Sequence, residues 1–457
     1  MRMLSRVLLI LILCVPAWSW AAEAADTEAK KPITLDQALE IAFRRSPDVK
    51  MALDQLQKSV GGMAEAKANY MPKFNGDVTH FRNGPTFEFP PYTFVPDQAT
   101  TISGSVYLPL DISSGLGFVS DIARYKYQID YLNLMGVSEK LIFDVKRAYL
   151  DVLRAKGQQD VAQASVDVAA KRLRDSREKF AAGTAPDFDV TRGEVEVANL
   201  NQVLIQANAR VVIARSSLNR ILGIPVSTPT ELVNTDIQVQ SINVDVPKIT
   251  EEANQRRPEV KNAETAVLLN IKNTKLQRTA TRPSLGISGQ ASYNTPPYGF
   301  TTGHSTWTAL VNLSMSIWDG GISKAKVDQA YADVDKSRDA VEQTMLAVAL
   351  EVQTAAVNLQ EAIERVSTTA ENVRLAEKSL RLANDRYNSG VTILVEVADA
   401  ESALTQARFN AVQALYDYAV AVAELERATS TQPEARQLQC LTGGVENGKI
   451  VSDNISK

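Results

Sequence analysis

Cysteine is nearly missing: the 457-residue chain holds two, and Cys14 falls within an opening segment that reads as a secretory signal. Arg2 and Arg6 precede an apolar stretch from Val7 to Cys14, and Ser19-Trp20-Ala21-Ala22 supplies a small-residue end, so residues 1–22 are expected to be removed. Leu13 occupies the place where a lipid-bearing cysteine needs a small neighbour. Cys440 then stands alone, and no intrachain disulfide can form even in an oxidising compartment. Histidine is equally scarce. With only His80 and His304, neither a metal set nor a histidine-based catalytic triad can be assembled. Asp319-Gly320-Gly321 lacks the lysine and spacing of a phosphate loop. The chain is therefore expected to be no enzyme and to hold no cofactor or metal. Its 49 basic and 53 acidic residues leave no basic excess, which argues against nucleic acid as a partner. Beyond residue 22 no run approaches the roughly 18 apolar residues of a membrane-crossing helix, so any crossing must use strands.

What is present repeats. Ser46-Pro47-Asp48-Val49-Lys50 matches Arg257-Pro258-Glu259-Val260-Lys261, and Met71-Pro72-Lys73 matches Arg282-Pro283-Ser284, both 211 positions apart. Pro90-Pro91-Tyr92-Thr93-Phe94 returns as Pro296-Pro297-Tyr298-Gly299-Phe300, Leu110-Asp111 as Trp318-Asp319, and Lys179-Phe180-Ala181-Ala182-Gly183 as Arg386-Tyr387-Asn388-Ser389-Gly390. Five matches in one order imply a duplication. Residues 33–224 form the first unit and 248–430 the second. Between them lies a proline-bearing linker, 225–247, and a tail follows over 431–457.

Each unit reads as a helix, a strand pair and two long helices. From Trp307 the apolar positions Ala309, Val311, Leu313, Met315 and Ile317 alternate with polar ones, the period of a two-faced strand. Its partner alternates through Leu285, Ile287, Ala291 and Tyr293, and the first unit does likewise through Ile102, Val106, Leu108 and Leu110. The segment from Phe74 to Phe81 alternates poorly. Proline is expected to keep the aromatic loops Thr86 to Asp97 and Asn294 to His304 out of strands.

Neither glycine nor proline occurs over the 68 residues from Ile322 to Ser389, enough for a helix of about 100 Å. There Val352, Ala356, Leu359, Ile363, Val366, Ala370 and Val373 step by four and three, followed after a slip by Ala376, Leu380, Ala383 and Tyr387. This is a coiled-coil seam with small knobs. Gly183 and Gly390 end the long helices, and returning helices are predicted from Asp187 to Leu222 and from Val395 to Thr429. A sheet crossing lipid must close on itself, and four strands are too few. Three chains would supply twelve, an even number within the known range. The fold class expected is mainly α with a transmembrane β part shared by a homotrimer.

These residues resemble the TolC-like outer membrane factor family over nearly all of the mature chain. The likeness rests on Leu35-Asp36-Gln37-Ala38-Leu39 with Pro47, on Ile317-Trp318-Asp319-Gly320-Gly321, and on Arg386-Tyr387-Asn388-Ser389-Gly390 followed by Val395-Glu396-Val397 and Ala400. It implies a trimer with one shared β-barrel in outer-membrane lipid, an α-helical periplasmic tunnel, an equatorial region built from the linker and C-terminal part, and a closed inner end. A periplasmic adaptor and an inner-membrane transporter would drive and open it, for efflux or type I secretion. The first unit departs from the family pattern with Lys179-Phe180 and with Pro186 in its turn.

Glu396 and Asp399 lie three apart at the start of a helix, on one face, and match the family's acidic constriction. Threefold symmetry would make rings of carboxylates that draw cations; near a helix N-terminus they could instead simply complement its dipole. Gly183 and Thr184, with Gly390, Val391 and Thr392, would be the inner tips offered to an adaptor, or ordinary helical turns. Trp307, Trp318, Tyr107 and Tyr293 would mark interfacial belts, or simply pack within the strands. The alternative reading is a periplasmic coiled-coil adaptor, which would carry one hairpin rather than two. Eight methionines and two histidines weigh slightly against copper or silver as cargo.

Overall fold

The computed structural model describes residues 32–234, 237–240 and 245–432; the expected signal, Cys440 and all but the first two residues of the tail lie outside them. Helices α1 (Leu35–Arg45) and α2 (Pro47–Ala68) lead into strands β1 (Lys73–Arg82), β2 (Phe87–Phe89), β3 (Tyr92–Val95) and β4 (Gln98–Leu110). The 67-residue α3 (Gly115–Ala181) and the returning α4 (Asp187–Leu222) complete the first unit. The second repeats the order with α5 (Val246–Arg256), α6 (Pro258–Gln277), β5 (Ser284–Thr295), β6 (Ser305–Ser314), α7 (Ile322–Asn388) and α8 (Leu394–Ala428).

Two expectations need correction. The single opening helix of each unit is two, because Pro47 and Pro258 force the residues before them out of helical geometry: Ser46 sits at ψ 124° and Arg257 at ψ 131°. The first aromatic loop also holds a short hairpin, β2 with β3. Pro90 and Pro91 occupy the turn between these strands, where their missing donors cost no ladder bond.

Strands β1, β4, β5 and β6 form one antiparallel sheet in that order. Its register sorts the side chains by face. One face carries Phe74, Val78, Ile102, Val106, Ile287, Tyr293, Trp307, Val311 and Leu313; the other carries Asn75, Asp77, Ser103, Ser105, Gln290, Ser292, Thr306 and Thr308. The weakly alternating segment is thus paired along its whole length. Tyr107 corrects another expectation, for the register sets it opposite Ser288 on the polar face, where its ring lies over Gly286. Tyr293 and Trp307 stay on the apolar face. Beyond β6, Trp318 is exposed at the corner leading into α7.

The duplicated aspartates have one job in both units. The Gly117 amide donates to Asp111 at the start of α3, and the Gly321 and Ser323 amides donate to Asp319 at the start of α7. These bonds satisfy donors that a helix start leaves open, and the Ser323 side chain, followed by its amide, holds the Asp319 carboxyl below its ordinary value.

The long helices run the length of the helical layer and change neighbours midway. Near the sheet the order is α2, α3, α6, α7; toward the far tips it is α4, α3, α8, α7. Along the expected α7 seam every residue but Ala370 is buried or half-buried. A second apolar stripe remains open: Leu346, Leu350 and Val357 on α7, and Val195, Ile205 and Val212 on α4 are exposed.

Where the neighbours change, the chain is tied at its waist. The Tyr149 hydroxyl, fully buried, lies 3.0 Å from the Ile33 carbonyl and 2.6 Å from that of Val233, beside the bridge joining Ile33 to Leu232. Buried Asn219 donates to the Val226 and Thr228 carbonyls and accepts from the Thr230 hydroxyl. Gly223 ends α4 at φ +69°, and a Cβ there would meet the Arg45 carbonyl oxygen at 2.9 Å, so only glycine fits. Tyr149→Phe removes the hydroxyl donor from this partly buried tie, while the Ile33 carbonyl keeps the Val233 amide, and is expected to cost about 1 kcal/mol. A lower unfolding temperature in detergent, with earlier proteolysis of the linker, is the measurement; an unchanged protein would show that the tie is idle.

Candidate functional site

The hairpin tips farthest from the sheet gather the residues singled out above. Each ends its long helix on a glycine in the left-handed region, Gly183 at φ +73° and Gly390 at φ +74°. The following amides close the turn, Thr184 onto the Lys179 carbonyl and Val391 onto that of Arg386. Gly183, Thr184, Gly390 and Val391 are exposed, while Thr392 is half-buried. Positive φ explains both glycines without any partner.

The structure separates Glu396 from Asp399. Glu396 is held inside its own hairpin: Arg386 on α7 approaches at 3.1 Å, and the Thr392 hydroxyl donates to its other oxygen. Asp399, one turn farther along α8, is exposed and borders a cleft of about 650 Å³ between α3, α4 and α8. Arg192, which the duplication aligns with Asp399, lines the same cleft together with Glu401 and Arg408. The two units therefore bring opposite charges to one groove.

Ion pairs stitch the hairpins together near the tips. Arg172 on α3 reaches Glu196 on α4 at 3.0 Å and also contacts Glu401 on α8. Burial pulls the Arg172 guanidinium below its ordinary value, and the Glu196 carboxylate opposes that shift. Arg177 meets Glu194 at 2.7 Å, and Arg408 meets Glu377 at 2.9 Å. The Lys179 ammonium stands 4.9 Å from the centre of the Tyr387 ring, linking the tip of one hairpin to the other. The sequence shows Arg386 only as part of a motif and gives no sign of its contact with Glu396 or of the role of Arg172, because their partners lie across a turn or on another helix. Among the described residues no group of three or more His, Cys, Asp or Glu is placed to hold a metal ion.

A duplicated strand pair and helical hairpin, with one open two-faced sheet and a shared helical layer, define an architecture whose members are known. The chain belongs to the outer membrane efflux protein family, which matches residues 38–224 and 249–431. The cobalt-zinc-cadmium resistance protein CzcC of Cupriavidus metallidurans is 24% identical over 196 residues, 43% of this chain and 44% of that one. Nodulation protein T of Rhizobium leguminosarum bv. trifolii is 22% identical over 306 residues, 65% of this chain and 64% of that one. The alignments thus span less than two thirds of either relative. The fold agrees with the Campylobacter jejuni CmeC outer membrane channel at a TM-score of 0.77 and 14% identity, covering 89% of this chain and 88% of that one.

Proposed function

We propose that three copies of this chain close a twelve-stranded barrel in the outer membrane and, below it, a helical conduit through the periplasm. The observation that carries this reading is the sheet: among the described residues β1 and β6 are paired on one side only, and the face opposite the polar one is apolar through Phe74, Val78, Ile102, Val106, Ile287 and Val311, with His80, Arg82 and Thr100 at its loop end. Unpaired edges in hydrocarbon leave backbone groups without partners, so the sheet needs further copies to close. Ten-residue strands such as β6, tilted by about 40°, rise roughly 26 Å, the height of an outer-membrane apolar band. Trp307 near the loop end and Trp318 at the helix end would sit at its two interfaces. The open stripes on α4 and α7 support the same assembly, since each lies at an edge of the helical layer and would meet the other across a subunit boundary.

In this reading solute arrives from an inner-membrane transporter through a periplasmic adaptor that seats on the tips at Gly183, Thr184, Gly390, Val391 and Thr392. Glu396 and Asp399 set the charge of the inner constriction, Asp399 as the open carboxylate and Glu396 as part of a clasp with Arg386. Family membership sets aside the adaptor reading, and no catalytic step is assigned. The test is fractionation followed by bilayer recording. An SDS-resistant, heat-modifiable trimer from the outer membrane that conducts ions is expected; a monomer in the soluble periplasm would overturn the proposal.

A further inference from the structure

At the end of the sheet away from the helices, the loop after β5 turns back across the polar face. Tyr298 is its anchor. The Tyr298 hydroxyl lies 3.0 Å from that of Thr101 on β4, which donates to the Asn294 side chain at 2.8 Å. The ring meets Phe81 of β1 edge to face, with centroids 5.6 Å apart and planes at 87°. Phe81 and Thr101 occupy the same face as Asp77 and Ser103 by register. The loop therefore spans two strand spacings, about 10 Å, from β5 over β4 to β1.

A second set of contacts fastens it. The Gly299 amide donates to the Thr93 carbonyl at 2.8 Å, and Phe300 meets Phe94 with centroids 5.1 Å apart. Phe94 in turn packs against Phe87 and Tyr92 of the short hairpin. Pro296 and Pro297 stiffen the strap and lower the entropy lost in holding it. The duplicated Pro-Pro-Tyr motif thus has different uses: a hairpin turn in the first unit, a strap in the second.

We propose that this strap restricts, by size, what can pass the outer mouth, with Tyr298 as the residue that fixes it. The inference rests on the barrel reading, in which the polar face lines the bore. Twelve strands tilted by about 40° enclose a bore of roughly 24 Å between backbones. Three straps lying over that wall, each carrying a tyrosine and two prolines, narrow it at the external end. No charge is involved, so the filter acts on bulk.

Neutral polyethylene glycols of graded size, added to one side of a planar bilayer holding the trimer, read the accessible bore at each end separately. Tyr298→Ala is expected to admit at the barrel end polymers that the unaltered protein excludes, with the cut-off at the helical end unmoved. Because loss of the anchor could disturb assembly, a second variant combines Phe81→Cys and Tyr298→Cys with Cys440→Ser. Bridged by a bifunctional thiol reagent that spans the space left by the two rings, it should keep the original barrel-end cut-off, which should shift in the unbridged protein. An unchanged barrel-end cut-off in conducting Tyr298→Ala trimers, or a bridged pair whose cut-off matches that of the unbridged protein, overturns the proposal. A trimer that never conducts overturns the channel reading instead.

Discussion

Glu396→Gln combined with Asp399→Asn is expected to lower the preference of the channel for cations over anions about tenfold. A cation roughly 8 Å from a carboxylate gains about 0.5 kcal/mol in water, and salt near 0.1 M roughly halves that. Arg386 offsets Glu396, so the three open Asp399 carboxylates act: a cation gains about 0.7 kcal/mol and an anion loses as much, and the difference of about 1.4 kcal/mol is a factor of ten in the permeability ratio. Reversal potentials under a salt gradient measure it. The clasp makes a further demand, since Arg386 lies 3.1 Å from Glu396 and offsets its charge. Arg386→Gln should therefore raise cation preference. If both variants leave the reversal potential in place, these carboxylates do not face the pore.

The largest effect on stability is expected at Arg257, the residue that the duplication pairs with Ser46. Its side chain is 5% exposed and donates to Glu259 at 3.2 Å, to Glu351 at 2.5 Å and to the Ala428 carbonyl at 3.4 Å. It thereby ties α5, α6, α7 and the end of α8 at one point. Removing one partner of a buried ion pair costs about 3–5 kcal/mol, but Glu259 and Glu351 stay 46% and 35% exposed and keep part of their hydration. About 2–3 kcal/mol is therefore expected for Arg257→Met.

The pH dependence follows from Glu259. Burial raises its carboxyl, yet the hydrogen bonds and charge of Arg257 prevail and hold it below its ordinary value. A depressed carboxyl contributes stability above its unfolded value and loses it as pH falls through the folded one. The unaltered protein should lose stability over that acid range, and Arg257→Met should lose less. Unfolding temperatures measured across the range decide the matter; parallel curves would exclude the link.

The parts of the fold legible in the sequence are those set by spacing along the chain. Gly183 and Gly390 were visible because a helix end needs positive φ, and that need is local. The α7 seam was visible because a run free of glycine and proline kept its four-three stepping through Val352, Ala356 and Leu359. Glu396 and Asp399 were legible as neighbours on one helical face, but not as unlike residues. Arg386, across the tip from one of them, made the difference.

Other features escaped for the same reason. Tyr107 read as part of an aromatic belt, but which face it takes depends on the register of β4 against β5. The Pro-Pro-Tyr motif looked equivalent in its two copies, whereas one turns a hairpin and the other straps a wall. Identical local chemistry served two ends because the strands beneath differ.

By itself the sequence determined the duplication, the helix lengths, the turns and the alternation of the strands, since propensity, steric limits and side-chain period act within a few residues. Only the tertiary structure decided that the sheet is open at β1 and β6, that Arg257 and Tyr149 tie the waist, that Glu396 is clasped while Asp399 is open, and that Tyr298 crosses to Phe81. Those outcomes depend on groups brought together from distant points of the chain, where close packing and shared hydrogen bonds choose among arrangements that local rules leave equal.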